Sequence, residues 1–209
     1  MSIVLENINK TYNNQQIFKN FSFLFEDGNM YVLTGTVGVG KTTLLNIITQ
    51  ITDIDSGMIS GMNDKKISYL FQDNRLIKSK NVSDNIRFVL KDSMNKIEAN
   101  KVIEDYLKLF DLYEYRNYNV DKLSGGMQKK LAIARTLAIP NYDILILDEP
   151  FNNIDIKQKN IIMENIIKLV PKHAIVILVT HNVEDVINFV SEVYVLEKIP
   201  NSKFYIHPI

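Results

Sequence analysis

Three short clusters carry the residue types that could do chemistry. The first, Gly35-Thr36-Val37-Gly38-Val39-Gly40-Lys41-Thr42, followed by Thr43, fits the pattern G-x-x-x-x-G-K-[ST]. It lies between a predicted strand, MYVLTG, and a predicted helix, KTTLLNIITQI, the context a phosphate-binding loop requires. Such a loop turns tightly on its glycines and aims backbone N–H groups at phosphate oxygens. Lys41 would neutralise the β- and γ-phosphates and Thr42 would offer its hydroxyl to Mg2+. The N-terminus of the helix adds a field that favours the anion.

The second cluster is ILILDEP, residues 144–150. Four apolar residues running into two acids put carboxylates at the C-terminal edge of a buried strand, where the sites of α/β proteins assemble. Asp148 would then hold the Mg2+ shell, and Glu149, projecting differently, would polarise an attacking water. The third cluster is LSGGMQ, residues 123–128. Ser124 is a good N-cap, and Gly125 and Gly126 leave the amides of the next turn uncovered. The chain has eight glycines, so two side by side at a helix entry call for a reason beyond capping.

These clusters need a scaffold, and the pattern of the chain supplies one. SIVLENI, FSFLFEDG and MYVLTG read as strands, and ISYLF as another after the glycine-punctuated SGMISGMND. From about residue 76 to 139 the character is helical. There KIEANKVIEDYLKLFDLY sets Ile97, Val102, Leu107, Leu109 and Phe110 on an apolar face, and a further helix opens at Ser124 and runs to Pro140. DILILD and AIVILVT are apolar runs without alternation, as in strands buried on both faces of a parallel sheet. KQKNIIMENIIKLV between them is a helix ended by Pro171. Strand, helix, strand reads as a βαβ unit of an α/β fold.

Composition narrows the function. The 209 residues suit one domain, and 24 basic residues balance 24 acidic ones, so no nucleic-acid partner is expected. The absence of cysteine excludes disulfides, thiolate catalysis and cysteine-based zinc sites, and three scattered histidines argue against a histidine-based metal site. No signal-peptide pattern opens the chain, and its apolar runs fall far short of the ~20 residues that cross a bilayer. The expected location is the cytoplasm, with any membrane role exercised through a partner.

Taken together, GTVGVGKT, LSGGMQ, ILILDEP and the THN at Thr180–Asn182 resemble the ATP-binding-cassette (ABC) ATPases, in family order and over most of the chain. The resemblance implies a P-loop NTPase (RecA-like) α/β core, an N-terminal antiparallel β subdomain and an inserted, mainly helical subdomain. It would be a single domain over 1–209, with its core at about 1–75 and 140–209 and the helical part at about 76–139. Further positions follow from it. Tyr12 would stack on adenine, and Gln72 in YLFQDN would touch Mg2+ and link the core to the helical part. His181 would contact the γ-phosphate, and Asp155 in PFNNID would lie along a dimer seam. Departures are modest: Val37 where serine is frequent, Lys130 where arginine is frequent, and Asn152 and Asn153 in the loop before Asp155.

The resemblance also gives LSGGMQ a purpose. One chain binds one ATP in its own loop, so Ser124, Gly125, Gly126 and Gln128 would serve the nucleotide of a second copy in a head-to-tail homodimer. Glu149 would be the base, with Lys41, His181, Gln72 and Mg2+ stabilising charge. Two roles remain open at this point. One is the energy-coupling subunit of a transporter, peripheral at the inner face of the membrane on integral-membrane permease subunits. The stretch FQDNRLIKSKNVSDNIRFVL is similar to that of the nitrate, sulfonate and taurine importers. The other is a regulatory ATPase of a membrane complex that moves no solute, like the cell-division branch.

Overall fold

The structure is a computed structural model and describes residues 2–190, 192–199 and 203–208. Strands β1 (Ile3–Tyr12), β2 (Gln15–Phe25) and β4 (Ser56–Ser60) form an antiparallel sheet in the order β2-β1-β4. The second sheet contains β3 (Met30–Thr34), β5 (Ile67–Leu70), β6 (Ile144–Asp148), β7 (Ile175–Val179), β8 (Val193–Ile199) and β9 (Lys203–Pro208). Its order is β5-β6-β7-β3-β8-β9. β3 pairs in parallel with β7 and β8, and β9 adds an antiparallel edge to β8. The expected α/β core with an antiparallel β subdomain at its start is therefore present. The unbroken apolar runs explain the parallel part, since every residue of β6 and of β7 is buried. Burying each such leucine, isoleucine or valine is worth about 1.5–3 kcal/mol.

The chain divides into two compact units. One comprises Met1–Ile67, Asp143–Ile146 and Lys172–Ile209. It holds the antiparallel sheet, β3, α1 (Lys41–Ile48) and β7 to β9. In β1, simple alternation would turn Ile8 outward after Ile3 and Leu5. A register shift at Asn7, which takes a positive φ of 51°, resets the face, and Ile3, Leu5 and Ile8 are all buried. Phe23, Phe25 and Tyr31 then pack edge to face, as aromatic quadrupoles prefer.

The other unit comprises Ser68–Tyr142 and Leu147–Pro171. It holds α2 (Val82–Leu90), α3 (Lys96–Leu109), α4 (Gly125–Leu137) and α5 (Ile156–Leu169). The expected helical segment, 76–139, lies within it. Asn95 opens α3 with a full capping box closed by Glu98. Asn85 is fully buried on α2 and bonds the backbone of Ile77 through both N–H and C=O, together with the carbonyls of Lys80 and Asn81. One side chain thus organises the loop that leads into its own helix.

Some expectations need correcting. The buried stripe of α3 is Ala99, Ile103, Leu107 and Phe110, at i, i+4, i+8 and i+11, whereas Ile97 is 82% exposed. Ile97 stands in the first turn, on the face away from that stripe. SGMISGMND, which drew no strand from its sequence, contains β4, which pairs with β1 from Val4 to Asn9. Backbone pairing alone recruits it, because four of its five residues are exposed.

Candidate active site

In the first unit, β3 delivers the chain to Gly35 and α1 carries it away from Gly40. Gly35 takes φ 143°, and a Cβ there would stand 2.4 Å from the Leu196 carbonyl oxygen, so the loop starts in a slot no side chain fits. Thr36, Val37 and Gly38 form the exposed crest, with Val37 99% exposed, while Val39 turns inward and Thr43 is half-buried. The Lys41 ammonium bonds the carbonyls of Gly35 at 2.7 Å and Thr36 at 3.1 Å, which folds its stem across the loop. Thr42 is exposed at the first turn of α1. That turn has no acidic residue and no side-chain cap, leaving its amides to an anion.

β7 runs beside β3, and the amide of Thr180 bonds the carbonyl of Leu33 at 3.1 Å. The loop carrying His181 therefore leaves the sheet next to the strand that feeds the glycine loop, and His181 is exposed there. Thr180 itself is buried and fixes the turn through its bond with the amide of Asn182. Tyr12, at the end of β1, is 40% exposed. Its hydroxyl meets Thr52, and the Lys10 ammonium lies 5.0 Å from its ring centroid.

In the second unit, Asp148 is 7% exposed at the end of β6 and Glu149 is half-buried. Glu149 has φ 49°, a left-handed conformation uncommon for a glutamate, which sends its side chain off the line of the strand. Gln72 is exposed just beyond β5. Tyr69 and Phe71 stack at 3.9 Å, and the Arg75 guanidinium lies 3.4 Å over the Phe71 ring. Burial, and then the charge of Asp148, push the Tyr69 phenol well above its ordinary range, so it stays protonated.

Ser124 is the N-cap of α4, accepting the Met127 amide at 3.3 Å, and the first turn again has no acidic residue. By contrast α2 and α3 carry Asp84 and Glu98 in theirs. A Cβ on Gly125 would meet nothing within 4 Å, so this entry faces open space. Gly126 has a different reason: a Cβ there would stand 2.8 Å from the Asn153 carbonyl oxygen. The loop before Asp155 thus lies against the signature turn. Asn153 takes φ 63° there, a conformation asparagine tolerates better than most residues. Gln128 spends its amide on the carbonyls of Val120 and Leu123, and Asp155 is the exposed N-cap residue of α5.

Sequence reasoning passed over Lys129. It is only 2% exposed, and its ammonium bonds the carbonyl of Gln72 at 3.1 Å. Burial pulls its pKa below the ordinary lysine range, while the charges of Asp148, Glu149 and Asp73 push the other way. Its neighbour Lys130, also buried, bonds Asp111 at 3.4 Å, where the lone ammonium makes one contact rather than a fork. The available signal was the helical spacing of Lys129 with Ala132 and Thr136, both of which are buried.

The ABC transporter model matches residues 18–152, well over half of the chain. The chain belongs to the ABC transporter family. It is therefore an ATP-hydrolysing cassette. The dimeric structure of MJ0796, a bacterial ABC transporter cassette, is similar at 27% identity and TM-score 0.79. It covers 92% of this chain and 93% of its own. A post-hydrolysis dimer of MJ0796 bound to ADP and Pi is also similar, at 27% identity and TM-score 0.81, covering 93% and 94%. The ATP-binding subunit of another ABC transporter shares the fold, with TM-score 0.85 at 18% identity over 100% of this chain and 90% of its own.

Thr42 in the first unit, and Asp148 and Gln72 in the second, each carry a hard oxygen donor of the kind Mg2+ takes.

Proposed function

We propose that this cassette is the energy-coupling subunit of a membrane transporter, working as an ATP-dependent homodimer at the inner face of the membrane on separate permease subunits. The observation that carries the dimer in this reading is the presence of two unlike glycine entries on one chain. The Gly35–Thr43 loop is a complete phosphate cradle. The Ser124–Gly126 turn is a second anion-seeking helix entry that is open at Gly125. A chain with one cradle and one spare entry is completed by a copy of itself, related by a two-fold axis. MJ0796, similar over nearly its whole length, forms dimers and has been captured with ADP and Pi.

Hydrolysis then proceeds by in-line attack of water on the γ-phosphate. Glu149 accepts the water's proton. Lys41 and His181 hold negative charge, as do Ser124 and Gly126 of the second copy, and Gln72 orients the reacting groups. Thr42, Asp148 and Gln72 are the residues that would hold Mg2+, which would supply positive charge against that of the phosphates. Positioning and electrostatics carry such reactions, with little covalent work for the protein. Tyr12 stacks on the adenine, and Asp155 lies along the seam between copies.

A deletion strain tests the coupling role. Loss of uptake or efflux of a solute, with division unchanged, is the expected result. A division defect with transport intact would instead assign the chain to a regulatory ATPase that moves no solute.

A further inference from the structure

We propose that Lys129 is a positioning residue that ties Gln72 to the signature helix, so that whatever seats on Ser124–Gly126 also sets where Gln72 stands. The inference rests on the ATP-hydrolase reading of this chain and concerns residues of one compact unit.

The segment Gln72–Arg75 has no helix or strand of its own, so its carbonyls need donors from elsewhere. Helix α4 supplies them. Lys129 bonds the Gln72 carbonyl at 3.1 Å, and Arg135 bonds those of Asn74 at 3.1 Å and Arg75 at 2.9 Å. Three of the four carbonyls are thus held by two cations of a single helix. Arg75 is held in turn by its stack on Phe71, which stacks on Tyr69. Further along, the Ser68 hydroxyl bonds the Thr136 carbonyl at 2.7 Å, so α4 grips this stretch from end to end.

Stability alone does not account for Lys129. A lysine with 2% exposure has lost nearly all its hydration, and a bond to a neutral carbonyl returns only part of that cost. What the ammonium provides is a directed bond to the residue whose side chain serves the reaction. Burial disfavours the charge on this ammonium, and the charges of Asp148, Glu149 and Asp73 favour it. Lys129 stands little more than one turn from the Ser124 cap, and a helix transmits a shift of its first turn with little compliance. The role is one of position and needs no proton transfer.

Lys129→Met keeps the length of the stem and removes the donor and the charge. The expected result is a folded variant with a normal helical spectrum. Its kcat for ATP hydrolysis falls at least tenfold and its KM for ATP stays within threefold of the wild type. Amide exchange across residues 72–76 becomes faster than in the wild type. Lys129→Arg, which restores a charged donor, is expected to recover at least a third of the lost rate. A Lys129→Met protein with kcat within threefold of the wild type would overturn the proposal. If the methionine variant does not fold, Lys129→Gln replaces it. That variant donates a neutral bond without charge, and its kcat is expected to fall at least threefold, a smaller loss being contrary. A wild-type protein without ATP hydrolysis would instead defeat the underlying ATPase reading, which keeps the two failures apart.

Discussion

At Gly35–Thr43 the chain closes on itself. Lys41 reaches back to the carbonyls of Gly35 and Thr36, and Gly35 is wedged against the carbonyl of Leu196. At Ser124–Gln128 the entry is half open. Gly125 faces nothing within 4 Å, while Gly126 lies under the carbonyl of Asn153. Both helices begin without an acidic residue in the first turn, so both offer amides to an anion. The difference lies in what completes them. The first entry carries its own cation for the phosphates. The second has a serine cap and two glycines, and its buried lysine, Lys129, is committed to Gln72. A self-sufficient cradle and an incomplete one on the same chain make sense when the incomplete one serves another copy's nucleotide.

The contrast can be broken at either end. Lys41→Ala removes the cation of the closed cradle, and the expected loss in ATP hydrolysis is on the order of 10²–10³-fold, the scale of one preorganised donor. A phosphate-release assay measures it, and a rate near that of the wild type would deny Lys41 its role. At the other end the two glycines should separate. Gly126→Ala forces a methyl to within 2.8 Å of a backbone oxygen, and the expected cost is a lower melting temperature, from about 1–3 kcal/mol of overpacking, together with lost activity. Gly125→Ala meets nothing in its own chain and gains helix propensity, so its melting temperature should not fall. Any loss of hydrolysis in that variant belongs to contacts outside the chain. Equal melting temperatures for the two variants would remove the distinction drawn between the glycines.

Much of this was legible from the residues, for physical reasons that can be named. The glycine loop was readable because its spacing sits between a strand and a helix, and both formed where the apolar runs of β3 and α1 required. The carboxylates of β6 were readable because an unbroken apolar run has to be buried, and the acids mark where it ends. Hidden features depended on tertiary contacts. β4 has mostly exposed side chains, so no hydrophobic period announces it, and only pairing with β1 makes it a strand. Ile97 looked like core because it is apolar, yet the stripe that α3 buries begins at Ala99. Gly126 was read as leaving amides free, and the Asn153 carbonyl over it could not be seen from spacing alone. Lys129 drew no reading and Lys130 was noted only as standing where arginine is frequent, and both are buried. A lysine reads as surface until the helix face it shares with Ala132 and Thr136 is known to be covered.

The central claim, that Ser124–Gly126 completes the site of a second copy, is tested most directly by mass in solution with ATP. Glu149→Gln, which should bind ATP and hydrolyse it very slowly, is expected to double in mass when ATP is added. Adding Ser124→Arg to that variant should leave ATP affinity and the helical spectrum intact while the protein stays monomeric at every ATP concentration. Dimerisation of the double variant to the same extent as Glu149→Gln alone would contradict the account and leave Ser124 as the cap of α4.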